Sequence, residues 1–248
     1  AVVGPAADDP RLLLADYHYP AHLEISSDGD LSTLMPPVVT PLDRVREAVR
    51  GTGCEVVHAT GCAVTGDDRS GVAAAVAAAD GADVAVVCLG GRSGLTTDAT
   101  VGEMRDAVDL GLTGVQLDLL REVHATGTTT VAVIVSGRAH TLAEVEEHSD
   151  ATMLAWVPGV EGGAAIADVL FGRVAPSGRL PVSLPRHVGQ LPVHHGHRAG
   201  GDRSQFWGDY VDSPVTPLHP FGSGLTTTTF TYGEPQVVAG STSEPTTV

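Results

Sequence analysis

Five apolar runs of strand length, each followed by a helix-patterned or loop segment, restrict this chain to folds built on a parallel sheet. The runs are AVVG at 1–4, EVVHA at 55–59, DVAVVCLG at 83–90, TTVAVIVSG at 129–137 and ATMLAW at 151–156. Parallel neighbours need a long crossover, usually a helix, so the alternation predicts repeated βαβ units. Four helices are predicted. TPLDRVREAVRG offers Thr40 as N-cap, Pro41 at the first helical position and Gly51 as the stop. DDRSGVAAAVAAADG is alanine-rich and ends at Gly81. TGVQLDLLREVHATG places Leu117, Leu120, Val123 and His124 near helical spacing and closes at Gly127. GVEGGAAIADVLFG is rich in small residues, which lets a helix lie close to a sheet. The expected fold class is α/β, a three-layer α/β/α sandwich around a mainly parallel sheet of about six strands.

With 248 residues and 42% hydrophobic content, the chain can bury one sizeable core. Its formal charge of -16 argues against nucleic acid and anionic membrane surfaces as partners, because both reward a basic face. No run approaches the roughly 20 apolar residues of a membrane span, and no secretory leader is evident. The abrupt start on a strand leads to the expectation that the natural N-terminus lies upstream, so bacterial cytoplasmic and secreted locations both stay open. Cys54, Cys62 and Cys88 cannot all pair and form no C-x-x-C motif; they read as buried free thiols.

The second half changes character. RHVGQLPVHHGHRAGGDRSQFWGDYVDSPVTPLHPFGSG is too rich in Pro, Gly and His for helices and too long for a connector. Its aromatic residues, Phe206, Trp207, Tyr210 and Phe221, favour an ordered, packed loop. The polar tail from 233 to 248 reads as a linker or frayed end.

Among candidate sites, CLGGRSG at 88–94 follows a strand, yet it lacks the G-x-G-x-x-G spacing and the downstream acid of a dinucleotide site. It nevertheless leaves its strand at the edge where open α/β sheets hold ligands. The histidines His194, His195 and His197 lack the i, i+4 face of a zinc pair and have no nearby Cys, so they read as loop or pocket-lining groups rather than metal ligands. The YHYPAH stretch around Tyr17 reads the same way. Sharper is TVGEMRDAVDLG, a glycine-spaced loop that plants Glu103, Arg105, Asp106 and Asp109 after an apolar strand. A carboxyl group presented there, with Arg92 and Arg105 near in sequence, suits a general acid tuned by burial and neighbouring charge.

Three stretches then carry a family resemblance: GRSGLTTDATVGEMRDAVDLGLTGVQLDLLREV, LAWVPGVEGGAAIADVLFGRVAPSGRLPVSLPRHVGQLPV and PLHPFGSGLTTTTFTY. In this order they resemble the C-terminal α/β-sandwich domain of glycoside hydrolase family 3, the β-glucosidase and β-xylosidase group, over about residues 1–232. The resemblance implies a retaining, exo-acting β-glycosidase whose acid/base is Glu103, with Arg92, Arg105 and Asp106 as substrate-binding neighbours. An ion pair that ties the loop down is the alternative role for Arg92 and Asp106. It implies no metal and no organic cofactor. The nucleophile would be an aspartate on a (β/α)8 barrel, which is not in this sequence and would join it in cis or in trans. The partner substrate would be a β-linked oligosaccharide or glycoside. A non-catalytic carbohydrate-binding or scaffold domain is the alternative from another class.

Three positions depart from the family pattern: Gly91 in place of an acidic residue, Thr113 in LTG, expected to keep an N-cap, and Ser223 in PFGSG. The reading also carries three expectations. The chain alone should not turn over substrate, Glu103 and Arg138 should share one sheet edge, and the loop from Gly90 to Leu112 should be exposed and mobile around an ordinary solvated Glu103.

Overall fold

The computed structural model describes residues 1–24, 35–196 and 208–236. Five parallel strands form one sheet in the order β2-β1-β3-β4-β5: β1 at Val2–Val3, β2 at His58–Ala59, β3 at Val84–Gly90, β4 at Thr129–Val135 and β5 at Ala151–Trp156. All pairings are parallel, with Val86 opposite Val2 on one side and Val131 on the other. The expected count of about six is thus five among the described residues. The first two runs pair over only two residues each, ending at Val3 and Ala59, while the neighbouring β3 runs on to Gly90.

Strand alternation divides the core into two layers. Ala85, Val87 and Leu89 of β3, with Ala132 and Ile134 of β4, face α3 (Val72–Asp80), α4 (Gln116–His124) and α5 (Ala143–Glu147), meeting Ala75, Ala79, Leu119, Leu120, Val123 and Val145. Val86 and Cys88, with Val133 and Val135, point to the opposite face and pack on Leu42 and Val45 of α2 (Pro41–Ala48) and on Ile166 and Ala167 of α6 (Gly162–Leu170). This gives the three layers that the alternation of runs predicts.

The four predicted helices are present with the expected starts and stops within a few residues. Thr40 forms a full capping box with Asp43, ahead of Pro41. Among the described residues, four short elements were not anticipated: a 3-10 turn at Pro10–Leu13, α1 at Tyr19–Glu24, α5, and a 3-10 turn at Val188–Gln190. The YHYPAH stretch is therefore mostly helix α1 rather than loop. Thr113 does not cap α4; its hydroxyl donates to the Val64 carbonyl at 2.6 Å, while Val115 holds the N-cap position without a side-chain bond. Cys62 and Cys88 are buried thiols, pushed by burial up to about 11 and about 12, but Cys54 is exposed, correcting the expectation for that residue. Residues His197, Phe206, Trp207 and 237–248, for which packing or fraying was expected, lie outside the described residues.

Helix order creates the feature that positions the site. The connection after β1 runs to α2 on one face, whereas the connection after the adjacent β3 runs to α4 on the other. Where neighbouring strands send their chains to opposite faces, a crevice opens at the carboxyl ends of the strands. Here the loops after β1 and β3 frame it.

Small residues let α2 and α6 meet. A Cβ placed on Gly163 would lie 2.2 Å from the Val39 carbonyl oxygen and 2.5 Å from that of Thr40, both rigid backbone atoms. Gly163→Ala is expected to lower stability by about 2 kcal/mol, the typical cost of overpacking, and to shift the urea midpoint down with an unchanged slope.

Candidate functional site

The β3 loop begins with a close approach that fixes its direction. Gly90 has φ +149, and a Cβ there would sit 1.8 Å from the Val135 carbonyl oxygen, so only glycine lets β3 end against β4. Gly91 is equally confined: an added Cβ would meet Thr100 Oγ1 at 2.7 Å and Ser136 Oγ at 3.2 Å. Glycine at 91 thus suits the close approach of the Thr100, Val101 and Ser136 side chains. Ser93 pairs with Val101 as an isolated parallel bridge, and the Gly94 N–H donates to the Val101 carbonyl at 3.0 Å.

This base is buried, with Gly90, Gly91, Ser93, Gly94, Ala99, Val101 and Leu110 withdrawn from solvent. The expectation of a loop exposed from Gly90 to Leu112 therefore holds only for Thr97 and Asp98 and for most of the tip from Glu103 to Asp109. Ordering comes from two ion-paired and hydrogen-bonded partners that local sequence does not reveal.

The first partner is the loop after β1. Asp16 accepts from the Ser93 hydroxyl at 3.1 Å and from the Glu103 backbone N–H at 3.2 Å, while the Tyr17 hydroxyl donates to Glu103 Oε2 at 2.6 Å. Glu103 is accordingly not a free solvated carboxylate in this chain. The contact raises the phenol of Tyr17 above its ordinary value, because deprotonation would break the hydrogen bond and place a second negative charge beside the carboxylate. On either side of Glu103 the backbone is left-handed, with Gly102 at φ 125 and Met104 at φ 58. A non-glycine residue in that region is uncommon and marks a turn held against its preference, so the carboxyl is presented outward by strain.

The second partner is α1. Glu24 accepts from Arg11 through two bonds, Nε at 2.7 Å and Nη2 at 2.9 Å, and lies 3.4 Å from Arg92 Nη2. The Arg11 guanidinium holds the Glu24 carboxyl below the usual carboxylate range. Arg92 also forms an ion pair with Asp98 at 3.2 Å, though not with hydrogen-bond alignment. Arg92, predicted as a substrate-binding residue, is thus engaged in tying the GRSG segment to α1. Arg105 is half-buried beside Glu103, with its carbonyl taken by Arg138, and Asp106 is exposed at the tip. Arg138 also donates to the Thr100 carbonyl at 3.2 Å, so Glu103 and Arg138 share one sheet edge as expected.

Sequence reading assigned no role to Asp16, Glu24, Gln116, Ser136 or His140, and set Tyr17 aside with its neighbours. Asp16 and Tyr17 had one usable signal: they follow the first strand of a parallel sheet, where loops converge on the ligand edge. His140 is buried, donates from Nδ1 to the Leu110 carbonyl at 2.9 Å, and accepts from the Ser136 hydroxyl at Nε2 at 2.8 Å. Burial, with the Arg138 charge adding to it, holds its pKa below the ordinary histidine value.

A second concavity of about 550 Å³ lies among Pro181, Leu191, His194, His195 and Phe221, with the His195 ring 4.9 Å from that of Phe221. It includes no residue of the Glu103 edge. Among the described residues no three His, Cys, Asp or Glu side chains cluster to hold a metal ion, and no helix is long and apolar enough to cross a membrane.

An α/β sandwich with a carboxylate raised on a strained turn at its topological switch point defines a class of ligand-edge domain. The model of the glycosyl hydrolase family 3 C-terminal domain matches residues 1–227, and the chain belongs to that family. It is 35% identical over 240 residues to a beta-xylosidase of Formosa agariphila, covering 96% of this chain and 31% of the relative. It is 32% identical over 260 residues to a periplasmic beta-glucosidase of Salmonella typhimurium, covering 94% and 32%. Among solved structures, a beta-glucosidase from Erythrobacter marinus superposes with a TM-score of 0.76 at 36% identity, covering 95% of this chain and 32% of that one. A beta-glucosidase from Listeria innocua in complex with isofagomine superposes with a TM-score of 0.75 at 27% identity, covering 96% and 31%. The chain spans about a third of the length of these relatives.

The Tyr17–Glu103 contact gives a direct test of this geometry. Glu103→Gln removes the charge that opposes tyrosinate formation, so one tyrosine should titrate at lower pH in an alkaline absorbance titration, and Tyr17→Phe should abolish that difference.

Proposed function

We propose that this chain supplies the acid/base half of a two-part retaining β-glycosidase site, with Glu103 as the acid/base. The observation that carries the reading is the placement of Glu103: outward on a left-handed turn, at the carboxyl edge of the sheet, in a chain of this family. Exposed large hydrophobic side chains lie on the same segments, with Tyr17 before α1, Tyr19 at its start, and Met104 and Val108 on the Glu103 loop all largely accessible. An exposed apolar surround fits a face that another domain covers. That domain is read as a (β/α)8 barrel carrying an aspartate nucleophile, joined in cis or in trans.

The chemistry follows from two carboxyl groups about 5 to 5.5 Å apart across the scissile bond. The barrel aspartate attacks the anomeric carbon while Glu103 gives its proton to the leaving glycosidic oxygen, so the carbon–oxygen bond breaks as the glycosyl–aspartate bond forms. Glu103, now a carboxylate, takes a proton from water, whose oxygen displaces the aspartate. The phenol of Tyr17 stabilises the carboxylate between these steps. Burial against the barrel and its aspartate favours the protonated form that starts the cycle. The substrate class is a β-linked glucoside or xyloside cleaved from its non-reducing end, with no metal or organic cofactor in either step. Residues 1–232 are read as the domain, and 233–248 as a linker or frayed end.

Of the neighbours, Arg92, Arg105 and Asp106 are read as substrate-binding groups, and the contact of Arg92 with Glu24 supports its alternative role of tying the loop down. In the complete enzyme, Glu103→Gln is expected to slow substrates with poor leaving groups by about 10²–10⁴-fold, the usual worth of general acid assistance, and activated aryl glycosides far less. Azide should restore turnover of the activated substrates. Equal loss on both substrate types without rescue, in a folded variant, would assign the role to another group, with Asp106 next to test. The 248-residue chain by itself should not hydrolyse nitrophenyl β-glucoside or β-xyloside above background, because it contributes one carboxyl group of the required two.

A further inference from the structure

We propose that the turn after β4, residues 136–141, is the positioning element of the Glu103 loop, with Arg138 and His140 as the side chains that grip it. The gripped atoms are all backbone carbonyls of that loop. Arg138 Nη2 reaches the Thr100 carbonyl at 3.2 Å and also donates to the Arg105 carbonyl, so one guanidinium spans the segment in which Glu103 lies. His140 Nδ1 donates to the Leu110 carbonyl at 2.9 Å, and the Thr141 N–H donates to the same oxygen at 2.9 Å. The loop is thereby fastened before, just after and well beyond its acid, by one six-residue turn.

The grip is set by β4 itself. Ser136 follows directly on the strand, and its hydroxyl accepts the Arg138 N–H at 3.3 Å and donates to His140 Nε2 at 2.8 Å. The Leu110 carbonyl can only accept, so the neutral imidazole carries its hydrogen on Nδ1 and Nε2 is left to accept from Ser136. Ser136 and His140 are buried, at 2% and 5% exposure, so the pair is shielded from competing water. Gly137 brings the turn against the loop, since a Cβ there would touch Val101 at 3.1 Å. Glu103 is anchored by Tyr17 and Asp16 on one side, and its loop by this turn on the other. Two fastenings on a strained turn restrict where the carboxyl can point, and a displacement of about 1 Å at a reacting group can cost ~10²-fold in rate.

The grip is a property of this chain, whereas its effect on turnover rests on the reading of Glu103 as acid/base. Hydrogen exchange measured by mass spectrometry on the 248-residue chain separates the two. Arg138→Met and His140→Leu should each speed exchange of the 101–110 segment by about tenfold, leaving β3 and α4 unchanged, as expected for local opening. His140→Asn, which retains an amide donor for the Leu110 carbonyl, should restore most of the protection. In the complete enzyme, Arg138→Met should lower kcat by ~10–100-fold while KM stays within about twofold. Unchanged exchange of 101–110 in both variants would overturn the proposal, as would equal acceleration in β3 and α4. Faster loop exchange with unaltered kcat would also overturn the positioning role. If His140→Leu does not fold, Arg138→Met decides, since Arg138 is only half-buried. Should the exchange pattern hold while Glu103→Gln leaves turnover intact, the acid/base assignment fails and the grip stands.

Discussion

The carboxamide of Gln116 is the contact on which the placement of the site depends. Its oxygen accepts from the Gly90 N–H at 2.8 Å, and its nitrogen donates to the Gly90 carbonyl at 2.8 Å and the Val64 carbonyl at 3.0 Å. Gly90 is where β3 leaves the sheet, and Gln116 is the first residue of α4, with no exposed surface. A buried backbone group left without a partner costs about 1–3 kcal/mol, so a strand can end inside a core only where something meets its last peptide. One side chain meets both groups here and joins β3, α4 and the segment around Val64 at one point. Everything from Gly91 to Leu110 projects from that point, and so does Glu103.

The layered fold was legible because strand and helix periods are local properties. DVAVVCLG, TTVAVIVSG and ATMLAW became β3, β4 and β5 nearly end to end, and Thr40 with Pro41 started α2 as its capping chemistry requires. Val2–Val3 and His58–Ala59 pair far more briefly than their apolar runs suggested, because pairing length depends on where each chain leaves the sheet, a tertiary fact. The short helices Tyr19–Glu24 and Ala143–Glu147 lack strong caps and long apolar stripes, and owe their form to packing.

Site legibility divides along the same line. Glu103 was marked by its loop and by the family motif, but its partners sit 86 or 87 positions away in sequence at Tyr17 and Asp16. Arg92 carries the same lesson in reverse. Its type and position allowed either a ligand contact or a loop-tying ion pair, and its 3.4 Å approach to Glu24, a carboxylate already paired with Arg11, is a contact of the second kind. Ser136 and His140 are separated by three residues and were still missed, since a buried serine–histidine pair whose role is to hold a carbonyl has no signature beyond its composition. Ser223 participates through its backbone alone, accepting from Leu180 N–H at 2.8 Å, so nothing in its side chain accounts for that departure from the family pattern.

The exposed apolar groups around Glu103 have a colloidal consequence. Tyr17, Tyr19, Met104 and Val108 give the uncovered domain a cohesive spot, while a formal charge of -16 makes any two copies repel. The repulsion reaches about 10 Å at 0.1 M salt and contracts to about 3 Å at 1 M, whereas attraction between apolar surfaces survives that change and is strengthened by sulfate or phosphate. An unpartnered preparation is thus kept dispersed by its charge, and concentrated salt, ordinarily harmless to an acidic protein, removes the barrier that keeps these faces from meeting one another.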